Sequence, residues 1–390
     1  MADRAGGRGC VPRTQSAGRL ASEPSRIVRQ GRREDPAYQS ARTDDRILTA
    51  PFTLTHDADL RPLNSFGVAA RARALARVDT REGLVAALEY ADREGLRVEV
   101  LGGGSNVLIV ENLEALVLQP MLRGIEWLGQ GADERIHVRA AAGENWHAFV
   151  GATLTQGVCG LENLALIPGN VGAAPIQNIG AYGVELERFV VAVEAYDRVE
   201  RRFVRIESAD CGFSYRDSRF KHDGERHLIV AVEFALSASP QLQRDYAGVR
   251  EELQAMGVDA PTPGDLYRAV SAIRRRKLPD PAELGNAGSF FKNPLLPAEQ
   301  AERLKAGYPQ LPVFPAGQGK SKLAAGWLIE HCGWKGLRDG DAGVHQQHAL
   351  VLVNHGNASG RQILALAQRI QADVRARFGV DLEIEPRVLL

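Results

Sequence analysis

The run RVEVLGGGSNVLIV, residues 97–110, sets three consecutive glycines, Gly102, Gly103 and Gly104, between two apolar stretches and follows them with Ser105 and Asn106. Glycine lets the backbone approach a ligand closely and turn successive N–H groups toward an anion. The dinucleotide fingerprint G-x-G-x-x-G is not met, because Val107 occupies the third glycine position and no helical pattern follows. Residues 107–110 read instead as a second short strand. Strand, turn, strand removes the helix N-terminus that holds phosphate in a Rossmann fold. An ordinary hairpin turn fits these five residues equally well.

The surrounding pattern is that of a mixed fold. Val68, Ala70, Ala72, Ala74, Ala76 and Val78 alternate with mostly polar partners, the period of a strand. Asp79 and Glu82 then form a D-x-x-E start signal, and Leu84, Ala87, Leu88 and Ala91 recur at helical spacing, so a β-α-β unit delivers the chain into the glycine turn. Further strands are predicted over 136–140, 190–196 and 228–234. Helices are predicted over 321–332 and 359–378, the latter capped by Ser359, striped with Ile363, Leu364, Ala367, Ile370, Val374 and Phe378, and stopped at Gly379. The class is α+β.

Composition bounds the partners. With 390 residues, 44% hydrophobic and 25% charged, the chain is long enough for two or three globular domains, and no stretch is apolar enough to span a membrane. Lys plus Arg and Asp plus Glu both number 48, so no global field recruits nucleic acid or anionic lipid, and an anionic ligand must be met locally. Cys10, Cys159, Cys211 and Cys332 lack C-x-x-C spacing and fit a reduced compartment, the cytoplasm. Residues 1–46 are rich in Arg, Gly, Ser and Pro and lack apolar periodicity, and are expected to be disordered. The segment GLENLALIPGNVGAAPIQNIGAYGVE, residues 160–185, combines five glycines and two prolines with Leu, Ile and Val throughout. It reads as buried irregular chain, whose backbone groups either satisfy one another in a packed loop or lie along a large polar ligand.

In order along the chain, LGGGSN, GLENLALIPG, PIQNIGAYG, YRDSRFK, KLPDP and GSFFKNP closely resemble the UDP-N-acetylenolpyruvoylglucosamine reductase family, MurB, from about Leu60 to the C-terminus. The resemblance implies a vanillyl-alcohol-oxidase-type (PCMH-type) FAD-binding domain over 60–240 and a smaller α+β substrate-binding domain over 245–390, whose last strand is a candidate to return to the FAD domain. It implies non-covalent FAD, NADPH as co-substrate and a UDP-sugar substrate, reduced to UDP-N-acetylmuramate for peptidoglycan; a monomer is expected. Gly102, Gly103, Gly104, Ser105 and Asn106 would cradle the pyrophosphate. Pro168, Gly169, Gln177, Asn178, Gly180, Ala181, Tyr182 and Gly183 would line the rest of the cofactor, with Arg274 and Arg387 also at FAD.

The chemistry sets its own requirements. Hydride added to the methylene of an enol ether conjugated to a carboxylate pushes charge onto that carboxylate as an enolate. The enolate needs donors aimed at it, and the adjacent carbon needs a proton from a positioned acid. The family pattern places these roles on Arg216 for the carboxylate, Ser289 for the proton and Glu385 for orientation or protonation, with Glu383 as the alternative to Glu385. Without the resemblance, Arg216 reads as a surface partner of Asp217, Ser289 as a turn serine before two core phenylalanines, and Glu385 as one of three solvated carboxylates on one face of a terminal strand. Tyr246, Lys277 and Asn293 match substrate-binding positions; residues 274–277 read otherwise as a solvated basic helix end.

Two further features read as decoys. AGQGKS, residues 316–321, lacks the first P-loop glycine, which would fall on Phe314, and is expected to be a loop leading into a helix. His331, Cys332, His345 and His348 lack zinc-ligand spacing, and no metal is expected. His147 is the unexplained histidine nearest in sequence to a flavin linkage. A different flavoenzyme of the same fold, acting on a hydroxy acid or alcohol, would share the glycine motifs without YRDS and GSFFKNP, and a non-catalytic flavin binder would lack the acid.

Overall fold

β1 (Thr53–Asp59) and β2 (Arg71–Val78) pair antiparallel, and Ala72, Ala74, Ala76 and Val78 on β2 are buried as the alternation predicts. The structure, a computed structural model, describes residues 51–223, 226–246 and 248–390; the expected extension over 1–46 lies outside the described residues. α1 (Arg81–Glu94) begins one residue later than the D-x-x-E signal suggests. Its cap is Thr80, whose side-chain oxygen accepts from the Gly83 N–H, and it ends at Gly95 with φ 63°. Leu84, Ala87, Leu88 and Ala91 form its buried face.

Beyond α1 come β3 (Arg97–Val100), β4 (Val107–Ile109) and β5 (Leu113–Pro120). β5 lies between β2 and β3, parallel to both, giving a sheet of order β1-β2-β5-β3. β4 leaves this sheet. The glycine turn is therefore no hairpin: its two flanking strands belong to different sheets.

A second, wholly antiparallel sheet has the order β11-β10-β12-β7-β6. It is built from β6 (Ile125–Gln130), β7 (Ile136–Ala141), β10 (Val190–Asp197), β11 (Arg202–Glu207) and β12 (His227–Leu236), and the three strands predicted here fall in β7, β10 and β12. α2 (Trp146–Thr155), capped by Asn145, packs Trp146, Phe149 and Val150 beneath this sheet with Phe234. Residues 160–185 are irregular and largely buried, as expected, with a two-stranded hairpin of β8 (Gly180–Ala181) and β9 (Val184–Glu185). Short α3 (Arg219–His222) precedes β12.

The second half opens with α4 (Val249–Ala255) and α5 (Pro263–Lys277), which share the buried cluster of Val249, Leu253, Leu266, Ala269, Val270 and Ile273. β13 (Gly285–Ser289) begins its small sheet. Next come β14 (Leu295–Pro297), α6 (Ala298–Gly307), β15 (Val313–Pro315), β16 (Lys320–Leu323), α7 (Ala325–His331), β17 (Arg338–Asp339), β18 (Ala342–Val344) and β19 (Val351–Asn354). β13-β19-β18-β17 form one sheet and β14-β16-β15 another. α8 (Gly360–Phe378) has the predicted Ser359 cap, closed by Gln362, and the predicted stop at Gly379, φ 66°.

Two expectations are corrected here. The helix predicted over 321–332 starts only at Ala325, because Lys320–Leu323 pairs with both β14 and β15; AGQGKS is accordingly a hairpin tip leading into a strand, with Gly317, Gln318 and Gly319 all at positive φ. Residues 380–385 are extended but form no strand ladder. Their backbone pairs with residues 290–292, through an Ile384 bridge to Phe291 and the hydrogen bonds on either side of it, before Pro386 turns the chain. β20 (Arg387–Leu389) then pairs parallel with β4. The described residues belong to a single compact unit. Phe66, Val68, Leu108 and Val110 from the first half sit in the same core cluster as Phe290, Ile329, Leu352 and Ile370 from the second.

Candidate functional site

β20 delivers the chain end to the glycine turn: Arg387 N–H donates to the Asn106 carbonyl (3.0 Å) and Ser65 N–H to the Gly104 carbonyl (2.9 Å). Among the described residues, none of the backbone amides from Gly102 to Asn106 donates a hydrogen bond to the protein. Carbonyls tied from behind and successive amides left unused make a nest for an anion. The turn also faces the second predicted loop closely. A Cβ on Gly103 would lie 3.1 Å from Gly169 Cα, and one on Gly169, φ 108°, would lie 3.0 Å from Ser105 Oγ. Asn106 Nδ2 donates to Gln177 Oε1 (2.8 Å), and Gln177 Nε2 donates to the Glu385 carbonyl (2.8 Å).

Gly104 is required by the fold itself. It sits at φ 61°, and a Cβ there would stand 1.9 Å from the Leu63 carbonyl oxygen, whereas a Cβ on Gly102 would meet nothing nearer than Asn170 Nδ2 at 3.9 Å. Gly104→Ala is expected to lose roughly 1–3 kcal/mol from backbone strain alone, with more from the clash, seen as a lower urea midpoint. Gly102→Ala should leave the midpoint unchanged. Equal losses would contradict this division.

Four non-glycine residues at positive φ, Leu166, Asn178, Tyr182 and Arg216, all lie in or beside the predicted loops. Such strain persists where surrounding bonds over-determine it. Leu166 N–H donates to His147 Nδ1 (3.0 Å), and its carbonyl accepts from Arg274 Nε (3.1 Å). His147 thus has its Nδ1 lone pair engaged, leaving Nε2–H to face the Tyr267 hydroxyl at 3.0 Å. Both ring nitrogens of the unexplained histidine are occupied by the protein. Asn178, fully buried, donates to the Ser214 carbonyl (3.1 Å) and accepts from Glu187 N–H (2.9 Å). It supports the turn that presents Arg216.

That turn is tight: Ser214 and Asp217 exchange backbone hydrogen bonds of 3.1 Å, leaving Tyr215 and Arg216 at its tip. Arg216 Nη2 donates to the Gly180 carbonyl (2.6 Å), and Nε lies 3.3 Å from Glu385 Oε1. The surface pairing with Asp217 does not form; Asp217 faces His222 instead. The picture of three solvated carboxylates is likewise overturned for Glu385. Its side chain is 17% exposed against 64% for Glu383, and burial pushes its carboxyl upward while Arg216, Lys292 and Lys221 act in the other direction.

Ser289 ends β13 beyond a bulge, where Gly288 at φ 70° is held by the Asn286 side chain (2.9 Å). Bulges re-aim the residue that follows them. The next residue, Phe290, donates to the Leu350 carbonyl and accepts from Glu385 N–H (2.9 Å), so Ser289 and Glu385 sit on two backbones joined across Phe290. The structure therefore sets Arg216 against Glu385 and places Ser289 on the backbone that pairs with the Glu385 segment, the three coming from separate parts of the chain.

Arg274 is not a solvated helix end. It is deeply buried beside Tyr182, to which it hydrogen-bonds, and burial lowers its pKa from the ordinary arginine value. Tyr246, 51% exposed, sets its ring edge-on to Tyr182 at 5.6 Å, and Lys277 Nζ lies beside Gly248 just after it. Asn293 accepts from the first amide of α7 (3.0 Å) and bonds to the Tyr215 hydroxyl, which burial pushes up. Arg387, by contrast, commits its guanidinium to the buried Glu99 at 2.5 Å, and its backbone serves the glycine turn.

Two further residues carry no signal in the sequence: Tyr215, which carries Arg216 and Lys322 against its ring at 5.3 and 5.0 Å, and Asn163, whose amide ties the Tyr182 and Gln243 carbonyls together. Lys221 and Lys292 stood inside the quoted YRDSRFK and GSFFKNP motifs without a role. His331 stacks on Trp327 at 4.1 Å, and among the described residues no group of three or more His, Cys, Asp or Glu is arranged to hold a metal.

Residues 72–201 match the family described as FAD binding domain, and residues 280–389 the family described as UDP-N-acetylenolpyruvoylglucosamine reductase, C-terminal domain. The chain is 55% identical over 339 residues to the UDP-N-acetylenolpyruvoylglucosamine reductase of Xanthomonas euvesicatoria pv. vesicatoria, covering 87% of this chain and 97% of that one. It is 54% identical over 335 residues to that of Chromobacterium violaceum, covering 85% and 98%. Among solved structures, the UDP-N-acetylenolpyruvylglucosamine reductase of Thermus caldophilus matches with a TM-score of 0.60 and 24% identity, over 87% of this chain and 99% of that one.

Proposed function

The chain belongs to the UDP-N-acetylenolpyruvoylglucosamine reductase family, and on that premise we propose how its residues carry out the reaction. It is an FAD-dependent oxidoreductase that reduces the enolpyruvyl group of UDP-N-acetylglucosamine enolpyruvate to UDP-N-acetylmuramate with NADPH, in peptidoglycan precursor synthesis. The fold is α+β with a PCMH-type flavin domain. The observation that carries the mechanism is the convergence of Arg216, Glu385 and Ser289 beside a glycine nest with unused amides.

The residues present fit the flavin. The nest at residues 102–106 suits its pyrophosphate, and the close face of Gly103 on Gly169 leaves a cradle that a side chain would fill. Bound FAD supplies hydride transfer from NADPH to the substrate's methylene carbon. Everything else falls to the protein. The Arg216 guanidinium grips the substrate carboxylate and stabilises the charge that develops there. Glu385, held close to Arg216 and kept from solvent, orients the substrate and supports proton delivery. Ser289 donates the proton to the carbon beside the carboxylate.

Tyr246 lies against the β8–β9 hairpin and Lys277 beside Gly248, and from there Tyr246 closes over substrate and Lys277 meets the diphosphate. Asn293 serves the same substrate through Tyr215. The flavin part spans 60–240 and the substrate part 245–390. The enzyme works as a monomer in the cytoplasm, without nucleic acid or membrane; among the described residues no helix is long and apolar enough to cross one.

Because His147 has both nitrogens engaged by Leu166 and Tyr267, FAD is expected to be held without a covalent bond. Acid precipitation of the purified protein should release all the flavin into the supernatant. Colour retained on the pellet would contradict this.

A further inference from the structure

Glu383 and the two lysines it joins have no part in the roles above. Lys292 Nζ lies 2.5 Å and Lys221 Nζ 3.5 Å from Glu383 Oε1, with the lysines 11% and 24% exposed and Glu383 at the surface. The three come from separate segments. Lys221 lies on α3, five residues past Arg216; Lys292 follows Ser289 by three; Glu383 precedes Glu385 by two. Lys292 N–H donates to the Glu383 carbonyl (2.9 Å), Phe291 bridges Ile384, and Glu385 N–H donates to the Phe290 carbonyl (2.9 Å), so the ion cluster sits one step along the same short ribbon that aligns Ser289 with Glu385.

Holding two ammonium groups together away from water is costly unless a carboxylate is shared between them, and apolar side chains would fasten the ribbon at lower cost. Burying a pair of like charges at this place calls for a role beyond fastening. The charged and titratable groups around Glu385 are Arg216 and Tyr215 on the turn, Lys221 on α3, Lys292 on the post-Ser289 segment and Glu383 on its own, with Asp217 acting on both lysines. Lys221 and Lys292 favour the ionised form of Glu385, and Glu383 opposes them.

We infer that Lys221, Lys292 and Glu383 form a positioning cluster for Glu385 that sets the pH range over which its carboxyl holds a proton. The inference rests on Glu385 serving the reaction as proposed above. The ribbon couples the two effects, since the Lys292–Glu383 contact fixes the register that turns Glu385 toward Arg216.

The test uses the full-length holoenzyme with ¹³C-carboxyl-labelled glutamate, the Glu385 resonance being identified by difference from Glu385→Gln. Lys292→Met and Lys221→Met should move the Glu385 titration to higher pH, Glu383→Gln should move it to lower pH, and Lys292→Arg should leave it near its original position. The pH profile of substrate-driven flavin reoxidation should be displaced in the same opposite directions. A cluster that only fastens the ribbon would slow turnover at every pH without moving the titration, or shift all variants one way; either result overturns the inference. Opposite shifts alongside full turnover in Glu385→Gln would uphold the cluster and overturn the catalytic reading of Glu385.

Discussion

Ser289→Ala should bind FAD and be reduced by NADPH at nearly the unaltered rate, yet reoxidation by UDP-N-acetylglucosamine enolpyruvate should slow by about 10²–10⁴-fold, the contribution of a positioned acid. The two half-reactions part in this way because the proton Ser289 supplies is consumed only after the substrate has accepted hydride. A serine hydroxyl is a weak acid, so it can serve only where the acceptor is strongly basic and held in place. Arg216 and Glu385, joined to the Ser289 segment across Phe290, provide that setting. Ser289→Cys occupies nearly the same volume with a stronger acid and should recover part of the rate. Rapid mixing that follows flavin absorbance separates the steps. Equal slowing of both would make Ser289 a structural turn residue after Gly288.

The second large effect is expected at Arg216. Arg216→Met should lower the reoxidation rate by about 10²–10³-fold, the usual loss when one preorganised donor at a developing oxyanion is removed. It also takes away the cation 3.3 Å from Glu385, so the Glu385 carboxyl, already raised by burial, should rise further and the pH profile move to higher pH with it. Arg216→Lys keeps a charge but loses the planar fork that also holds the Gly180 carbonyl, and should restore the pH profile better than the rate. A profile unmoved in Arg216→Met would mean that the arginine and Glu385 act independently.

Much of the scaffold could be read from short-range pattern. The alternation on β2, the stripe and caps of α8 and the helix before the glycine turn all depend on neighbouring residues, and all form close to where they are predicted. What failed depended on distant partners. Lys320–Leu323 extends the α7 pattern locally, but β14 and β15 claim it as a strand. Residues 380–385 alternate like a strand, but they find only a short stretch after Ser289 to pair with, and Glu385 turns inward while Glu383 stays in solvent.

The site divides along the same line. Gly104 announces itself because only glycine tolerates its φ and the nearby Leu63 carbonyl. Arg216, Ser289 and Glu385 carry no local mark of function, and spacing alone assigns each an unremarkable surface or turn role. Only motif order selected them, and only the tertiary pairing shows why they meet. Asn178 and Arg387, which the resemblance places at the cofactor, also serve the scaffold: their side chains hold the Ser214 turn and Glu99. Asn163 and Tyr215 could not be singled out, since each works through contacts to backbone or rings far away in sequence.

One anaerobic experiment tests the reaction most directly. Mixing the purified holoenzyme with NADPH should bleach the flavin's visible band, and subsequent addition of UDP-N-acetylglucosamine enolpyruvate should restore it stoichiometrically with formation of UDP-N-acetylmuramate. A flavin that NADPH reduces but this substrate fails to reoxidise, while a hydroxy acid or alcohol reduces the oxidised form instead, would contradict it.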